Sequence, residues 1–155
     1  MGKMTLVAEP GQPVIVMTRT FDAPRALGYR AFTDPALIPR WWGPRRYTTT
    51  VDRMEVKMGG LWRFVQHGAD GEFAFRGVYH QTLAPERLVY TFEFEGMPGH
   101  IQLETVSLEE HDSQTTVIDC VVFQSVEDRD GMLQTGMEDG AAESWDRFAE
   151  LLKTL

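Results

Sequence analysis

The sequence predicts a single α+β domain in which an antiparallel β-sheet packs one face against a C-terminal helix. Between residues 47 and 123, short runs rich in β-branched and aromatic residues alternate with turn clusters, as in a β-meander. Residues 125–155 return to the spacing of an amphipathic helix. The length of 155 residues matches one domain, so we expect a single domain over 1–155 with an ordered core of about 13–153.

The first elements are a strand and two short helices. Residues 14–21 have the pattern of a strand, and Asp22 is a suitable N-cap for a helix that ends near Phe32. An Asp-Pro pair at 34–35 predicts a second short helix, which Pro39 ends. The chain then enters the meander.

The turn clusters at 68–71, 84–87, 96–99 and 111–114 predict which residues of the meander share a face. If each cluster is a four-residue hairpin loop, the pairing of all five strands follows, and paired residues lie on the same face. The predicted inner face carries Trp62, Phe64, Phe73, Phe75, Tyr79, Tyr90, Phe92 and Phe94, together with Gln66, Gln81, Leu83, Ile101, Leu103, Thr105, Ile118 and Cys120. The same registers place Asp119 and the histidines at 67, 80 and 100 on the outer face. Gly77, in the middle of a strand, indicates a bend or a close backbone approach.

The C-terminal helix has one apolar stripe, which we expect to lie against the inner face of the sheet. The stripe consists of Met137, Ala141, Trp145, Phe148, Leu152 and Leu155, and carboxylates occupy the opposite side of the helix. An antiparallel sheet with one helix on its inner face is the economical packing of these elements.

Composition excludes several classes of partner. The 15 basic and 23 acidic side chains give a net charge of −8, whereas nucleic acids and anionic membranes bind basic surfaces. No apolar run approaches the roughly 20 residues of a membrane span, and the N-terminus lacks the apolar segment of a signal peptide. Cys120 is the single cysteine, so no internal disulfide forms. We therefore expect a cytoplasmic protein that binds neither nucleic acid nor membrane.

Seven short segments, in one order along the chain, resemble a known family. They are 19–24 (RTFDAP), 33–35 (TDP), 41–44 (WWGP), 59–64 (GGLWRF), 77–79 (GVY), 85–91 (PERLVYT) and 136–140 (GMEDG). From about residue 14 to 152 the chain resembles the family named for the activator of the heat-shock-protein-90 ATPase, within the START and birch-pollen-allergen-like (SRPBCC) superfamily. The resemblance implies a helix-grip fold, a curved antiparallel sheet wrapped around a long C-terminal helix, with two short helices after the first strand.

The resemblance also implies a cavity between sheet and helix that accepts a small hydrophobic or aromatic molecule. We predict that the ligand-binding residues are Trp62, Phe64, Gln66, Phe75, Tyr79, Tyr90, Phe92, Phe94, Thr105, Met137, Ala141 and Trp145. The chain departs from the family at Ala141, where relatives usually carry a tryptophan, and a tryptophan follows one turn later at Trp145. Relatives include lipid carriers, hormone receptors, polyketide cyclases and co-chaperones, so the fold does not select a function.

The residues offer little other chemistry. The histidines and Cys120 form no metal-binding spacing, so no metal and no cofactor is expected. One carboxylate borders the predicted cavity, either Glu55 if residues 57–60 make a four-residue loop or Asp52 if that loop has three residues. Burial would raise the pKa of this carboxyl and make it a candidate general base, although a structural ion pair is the more common role.

Three functional hypotheses follow. The first is binding of a small hydrophobic or aromatic molecule, and the second is a cyclase- or hydrolase-like enzyme with Glu55 or Asp52 as the base. The third is a co-chaperone-like protein-interaction domain that uses Trp41 and Trp42, which are otherwise interpreted as a lid on the cavity or a cap on the core. The oligomeric state stays open between monomer and homodimer.

Overall fold

The computed structural model describes residues 2–155 and has the predicted α+β architecture. Its strands are β1 (Thr5–Val7), β2 (Val14–Phe21), β3 (Thr48–Met54), β4 (Leu61–Gly68), β5 (Gly71–Leu83), β6 (Arg87–Phe94), β7 (Ile101–His111) and β8 (Gln114–Val122). Its helices are α1 (Arg25–Thr33), α2 (Ile38–Trp41), α3 (Val126–Leu133) and α4 (Met137–Leu152). The strands form one curved antiparallel sheet in the order β1-β2-β8-β7-β6-β5-β4-β3, and α4 lies on its inner face.

The N-terminal elements differ from the prediction in detail. Strand β1 pairs with β2 and so extends the ordered core before the predicted start at 13. Helix α1 is capped by Pro24 without a side-chain hydrogen bond, so the assignment of Asp22 as the N-cap is wrong. Pro39 lies in the first turn of α2 rather than ending it, because a proline there requires no backbone donor.

The C-terminal helical region consists of two helices rather than one. Ser125 caps α3 by accepting a hydrogen bond from the backbone N–H of Asp128 at 3.0 Å. Gly136 then adopts a left-handed conformation with φ of 80° and separates α3 from α4. Helix α4 presents the predicted apolar stripe to the rest of the core.

The main core lies where the C-terminal half of α4 meets α1, α2 and β2. Phe148 is 1% exposed, and its ring lies 4.9–5.0 Å from the rings of Phe21, Phe32 and Trp41. Leu151 and Leu152 are buried beside it. These edge-to-face and tilted contacts are the favoured aromatic geometries, so this cluster anchors the helix to the sheet.

The predicted register of β4 and β5 is confirmed. Trp62 pairs with Gly77 and Phe64 with Phe75, as the loop at 68–71 requires. Between β5 and β6 a bulge after Tyr79 shifts the register, so Tyr79 pairs with Tyr90. The aromatic side chains still share the inner face. Gln81 and Leu83, on the far side of the bulge, are exposed on the outer face, contrary to the prediction.

The hairpin of β6 and β7 is shifted by one residue from the predicted register. Glu93 pairs with Ile101 instead of Gln102. Because successive side chains point to opposite faces, a shift of one residue moves every side chain of β7 to the other face. Strand β8 pairs with β7 in the predicted register and is therefore reversed as well. The inner-face prediction is wrong for Ile101, Leu103, Thr105, Ile118 and Cys120, and the outer-face prediction is wrong for Asp119.

Gly77 marks a close backbone approach, as the sequence indicates. A Cβ atom at this position would lie 1.8 Å from the carbonyl oxygen of Thr91 and 2.5 Å from Nε1 of Trp62. That indole nitrogen donates a hydrogen bond to the same carbonyl at 3.1 Å. Because Gly77 has no side chain, the indole of Trp62 can lie across β5 and reach the carbonyl oxygen of Thr91.

We expect Gly77→Ala to lower the free energy of unfolding by about 2 kcal/mol, because the added methyl group overlaps the backbone and displaces the indole. Gly131→Ala is the matched control. Gly131 lies in α3 with no atom near its would-be Cβ, so its replacement should stabilise the protein by about 0.5–1 kcal/mol. Urea unfolding of both variants measures the difference, and a Gly77→Ala protein as stable as the wild type would contradict the packing argument.

Candidate functional site

A cavity of about 510 Å³ lies between the inner face of the sheet and the N-terminal half of α4. Helix α4 lines it with Met137, Gly140, Ala141, Ser144 and Trp145. The volume falls in the range of small-molecule sites, roughly 300–1,000 Å³. Met97 and Thr135 contribute to the lining and are exposed, so the cavity reaches the surface beside them.

The part of the cavity wall that β4, β5 and β6 form is mainly aromatic. The ring of Trp62 lies 4.8 Å from that of Phe64 and 5.9 Å from that of Phe92. Phe75 lies 5.4 Å from Phe92 and 5.2 Å from Phe94. Rings that support one another in this way lose little freedom when a ligand binds, so the walls are largely preformed.

The structure places the predicted ligand-binding residues around this cavity, with one exception. Trp62, Phe64, Gln66, Phe75, Tyr79, Tyr90, Phe92, Phe94, Met137, Ala141 and Trp145 all line it. Thr105 does not, because the one-residue shift of β7 turns its side chain to the outer face. Gln102 and Glu104 lie on the inner face instead.

Trp41 and Trp42 have different environments. Trp41 is buried in the core, where its Nε1 donates a hydrogen bond to the carbonyl oxygen of Ala31 at 2.9 Å. The half-buried Trp42 lies over the aromatic wall, with its ring 5.2 Å from Phe64 and 5.3 Å from Phe75. Trp41 is therefore a core residue and Trp42 is part of the cavity wall, so the two do not form an exposed patch.

Helix α4 holds the segment that follows Trp42. The backbone N–H of Gly43 donates to Oγ of Ser144 at 3.1 Å, and Arg147 donates to the carbonyl oxygen of Gly43 at 2.8 Å. Gly43 has φ of 89° and leaves room for the side chain of Gln66, which a Cβ atom would meet at 2.1 Å. This segment is thus a fixed edge of the cavity.

Two carboxyl groups, Glu104 on β7 and Asp119 on β8, lie on the cavity wall. They are diagonal neighbours on the inner face, since Glu104 pairs with Val121 and Asp119 lies two residues before it. Glu104 and Asp119 are 8% and 7% exposed, and their side chains are hydrogen bonded to each other. Oδ1 of Asp119 is buried, and no N–H or hydroxyl group within residues 2–155 donates a hydrogen bond to it.

Burial favours the protonated form of both carboxyl groups. Burial raises the pKa of Asp119 to about 6, an effect partly offset by the hydrogen bond that it accepts from Glu104. Burial, the Asp119 charge and the same hydrogen bond raise the pKa of Glu104 well above its ordinary value. The hydrogen bond favours the protonated form of Glu104 and the ionised form of Asp119, and the two groups titrate as a coupled pair.

Sequence reasoning missed this pair, because it assigned the carboxylates of the meander to the outer face. The contrary signal was in β8, where Val117 and Val121 flank Asp119 at alternate positions. Both valines are buried, at 1% and 3% exposed, and they share a face with the carboxylate between them. An alternation of apolar residues on the face of Asp119 was thus available in the sequence.

The two carboxylates predicted to border the cavity lie elsewhere. Glu55 is on the surface after β3, where Oε1 accepts a hydrogen bond from the backbone N–H of Leu61 at 3.0 Å, and this bond lowers its pKa. Asp52 lies at a bulge between Val51 and Arg53. Because of this bulge, Val51 and not Asp52 lies opposite Phe64 on the inner face. The prediction that Glu55 or Asp52 faces the cavity is wrong.

The described residues show no other reactive centre. Within residues 2–155 no three His, Cys, Asp or Glu side chains are grouped so as to hold a metal ion. Cys120 lies on the outer face, half-buried, and burial raises the pKa of its thiol, which favours the less reactive protonated form. No helix of the described chain is long and apolar enough to cross a membrane.

Comparison with known proteins identifies the family. The model of the family described as Activator of Hsp90 ATPase homolog 1-like protein matches residues 22–153. A comparison with curated proteins gives no match. The solved structures that share the fold include a Rhodobacter sphaeroides protein with 25% identity and a TM-score of 0.89, covering 99% of this chain and 100% of that one. An Arthrobacter aurescens protein has 24% identity and a TM-score of 0.89, with 97% and 92% covered. The chain belongs to the family of Activator of Hsp90 ATPase homolog 1-like proteins, with the SRPBCC-like fold.

Proposed function

We propose that this protein binds a small hydrophobic or aromatic molecule in the cavity between the sheet and α4. The observation that carries the proposal is the cavity itself, which has a volume of about 510 Å³, reaches the surface, and has an aromatic wall on its β4–β6 side. Burial of a ligand against these walls supplies roughly 25 cal/mol for each Å² of apolar surface removed from water. Gln66 and the hydroxyl groups of Tyr79 and Tyr90 are the polar groups that would orient it.

The burial of Trp41 and the inward position of Trp42 favour this function over a protein-interaction domain. The co-chaperone hypothesis relied on both tryptophans at the surface, and neither provides an exposed anchor. The single cysteine supports a cytoplasmic location as part of the same proposal.

The experiment is titration with N-phenyl-1-naphthylamine, a neutral probe whose emission increases in apolar surroundings. We expect the wild-type protein to bind it and Ala141→Trp to bind it at least about tenfold more weakly, because an indole at 141 occupies the cavity. Quenching of Trp62 and Trp145 emission, since both line the cavity, is a second readout.

Glu138→Trp is the matched control, since residue 138 is exposed on the same helix and does not line the cavity. This variant should bind the probe like the wild type. A wild-type protein that does not bind the probe, or equal affinities for wild type and Ala141→Trp, would overturn the proposed function. Melting temperatures of all three proteins establish that each is folded.

A further inference from the structure

We propose that the ligand carries a protonated amine on its apolar body, and that the Glu104–Asp119 carboxyl pair anchors this amine. The inference rests on the proposed function, because it names the class of molecule that the same cavity takes. It is carried by a buried carboxylate oxygen to which no N–H or hydroxyl group of the described residues donates, by the absence of basic side chains from the cavity lining, and by the aromatic walls.

The first support is the environment of one carboxylate oxygen, Oδ1 of Asp119. Oδ1 of Asp119 is buried and accepts no hydrogen bond from an N–H or hydroxyl group of the described residues, and Asp119 lines the cavity. Buried polar atoms in folded proteins almost always have a partner, so an exception in a cavity requires an explanation. A ligand N–H group beside Asp119 would satisfy this oxygen, whereas a purely apolar ligand would leave it unpaired.

The second support is the charge of the cavity. Among the described residues, the lining includes no Lys, Arg or His. Its titratable groups are Tyr79 on β5, Tyr90 on β6, Glu104 on β7 and Asp119 on β8. Helix α4 contributes no charged group to the lining, and neither do the residues of β2 and α2. A carboxylate or phosphate ligand would find no cationic side chain in the lining, and the charge of Asp119 would repel it.

A basic side chain on the same face of the neighbouring strand already has a carboxylate partner. Arg19 on β2 donates to Asp146 of α4 at 2.7 Å, and its guanidinium lies 5.0 Å from the centre of the Phe21 ring. Arg19 does not line the cavity. The charge of Asp119 therefore remains available to a ligand cation.

The third support is the aromatic surroundings of the pair. Tyr90 pairs directly with Glu104 across β6 and β7, and its ring lies 6.0 Å from the ring of Trp62. The faces of aromatic rings attract cations, most strongly where water is excluded. An ammonium group between the carboxyl pair and these rings would have its charge matched by one carboxylate and its apolar body covered by the walls.

The test uses three probes with one naphthalene body. 2-Naphthylmethylamine is cationic, 2-naphthylmethanol is a neutral hydrogen-bond donor, and 2-naphthoate is anionic, and calorimetry at about pH 7.5 measures the affinity of each. We expect the amine to bind at least about tenfold more tightly than the alcohol, and the naphthoate to bind most weakly. Lowering the pH to about 5 should weaken amine binding, because Asp119 then takes up a proton.

Two variants test whether the pair provides the preference. Asp119→Asn should lose most of the amine affinity and keep that for the alcohol within about twofold. Glu104→Gln retains a donor to Asp119 and leaves its charge in place, so this variant should keep the preference for the amine. Circular dichroism establishes that both variants are folded.

Each remaining outcome counts against the amine anchor, and the last of them also counts against the proposed function. Equal affinity of the wild type for amine and alcohol would overturn the amine anchor and leave hydrophobic binding in place. A loss of affinity for both probes in Asp119→Asn would show a structural role for the pair and overturn the anchor as well. Failure of the wild type to bind any of the three probes would overturn the proposed function together with the anchor.

Discussion

Replacement of Phe148 by alanine should lower the free energy of unfolding by about 4 kcal/mol, within the range of about 3–5 kcal/mol for buried Phe→Ala changes. Phe148 is 1% exposed, and three aromatic rings surround it. Its removal leaves a void that rings held in strands and helices cannot fill by small movements. Because a domain is typically stable by only 5–15 kcal/mol, this loss is a large fraction of the total.

Phe73→Ala is the control for the loss of a phenylalanine from the sheet. Phe73 is half-buried near the start of β5, with its ring 5.7 Å from Tyr47 and 6.2 Å from Phe94. We expect it to cost less than about 2 kcal/mol in urea unfolding. Similar losses for Phe73→Ala and Phe148→Ala would contradict the assignment of the main core to the C-terminal half of α4.

Asp119→Asn should stabilise the protein increasingly as the pH rises from about 4 to about 7. Burial raises the pKa of Asp119 to about 6 in the folded protein, against about 3.9 in an unfolded chain. Between these values the folded protein binds a proton that the unfolded chain has released, so stability falls with rising pH. A difference of this size corresponds to about 3 kcal/mol, and the uncharged asparagine is free of it.

The measurement is the free energy of unfolding of wild type and Asp119→Asn across this pH range. At about pH 4 the two proteins should differ little, because Asp119 is then protonated and similar in shape to asparagine. Repeating the comparison in a Glu104→Gln background removes the titration of Glu104. Glu109→Gln, an exposed change on the neighbouring strand β7, should shift stability by less than about 0.5 kcal/mol at every pH. A pH-independent difference for Asp119→Asn would refute a buried ionised carboxylate.

The order of strands and helices was predictable because turn residues and apolar periodicity mark each element locally. The register of β4 and β5 was predictable for the same reason, since a tight turn with a glycine on either side, Gly68 and Gly71, joins the two strands. Where the connection is longer and irregular, at 95–100, the loop no longer determines the register. A shift of one residue at this connection was enough to reverse which side chains of β7 and β8 lie on the inner face.

The apolar pattern of β7 and β8 could not correct that shift, because both faces of these strands carry apolar residues. In β7, Ile101 and Leu103 lie on the outer face at 39% and 42% exposed, whereas Val106 and Leu108 are buried on the inner face. The apolar alternation changes phase within the strand, and such a strand specifies its orientation weakly. Only the packing of the whole sheet settles which face is inside.

For the cavity, the aromatic walls were predictable and the polar groups were not. The tryptophan and phenylalanine side chains of β4 to β6 all lie on the inner face. The bulge does not change this, because it comes after the phenylalanine residues of β5 along the chain. Glu104 and Asp119 break the general rule that carboxylates lie outside, and such exceptions concentrate at functional sites. A rule that holds on average therefore concealed the residues that most distinguish this cavity.

The two ends of α4 have different roles, and this separation affects how ligand specificity can change within the family. Phe148, Leu151 and Leu152 hold the helix in the core, whereas Met137, Gly140 and Ala141 face the cavity two turns away. Substitutions in the first turns of the helix can alter what the protein accepts while the scaffold keeps its stability, the usual limit on evolutionary change. Family members that descend from one ancestral protein can thus acquire different ligands through a few changes near position 141.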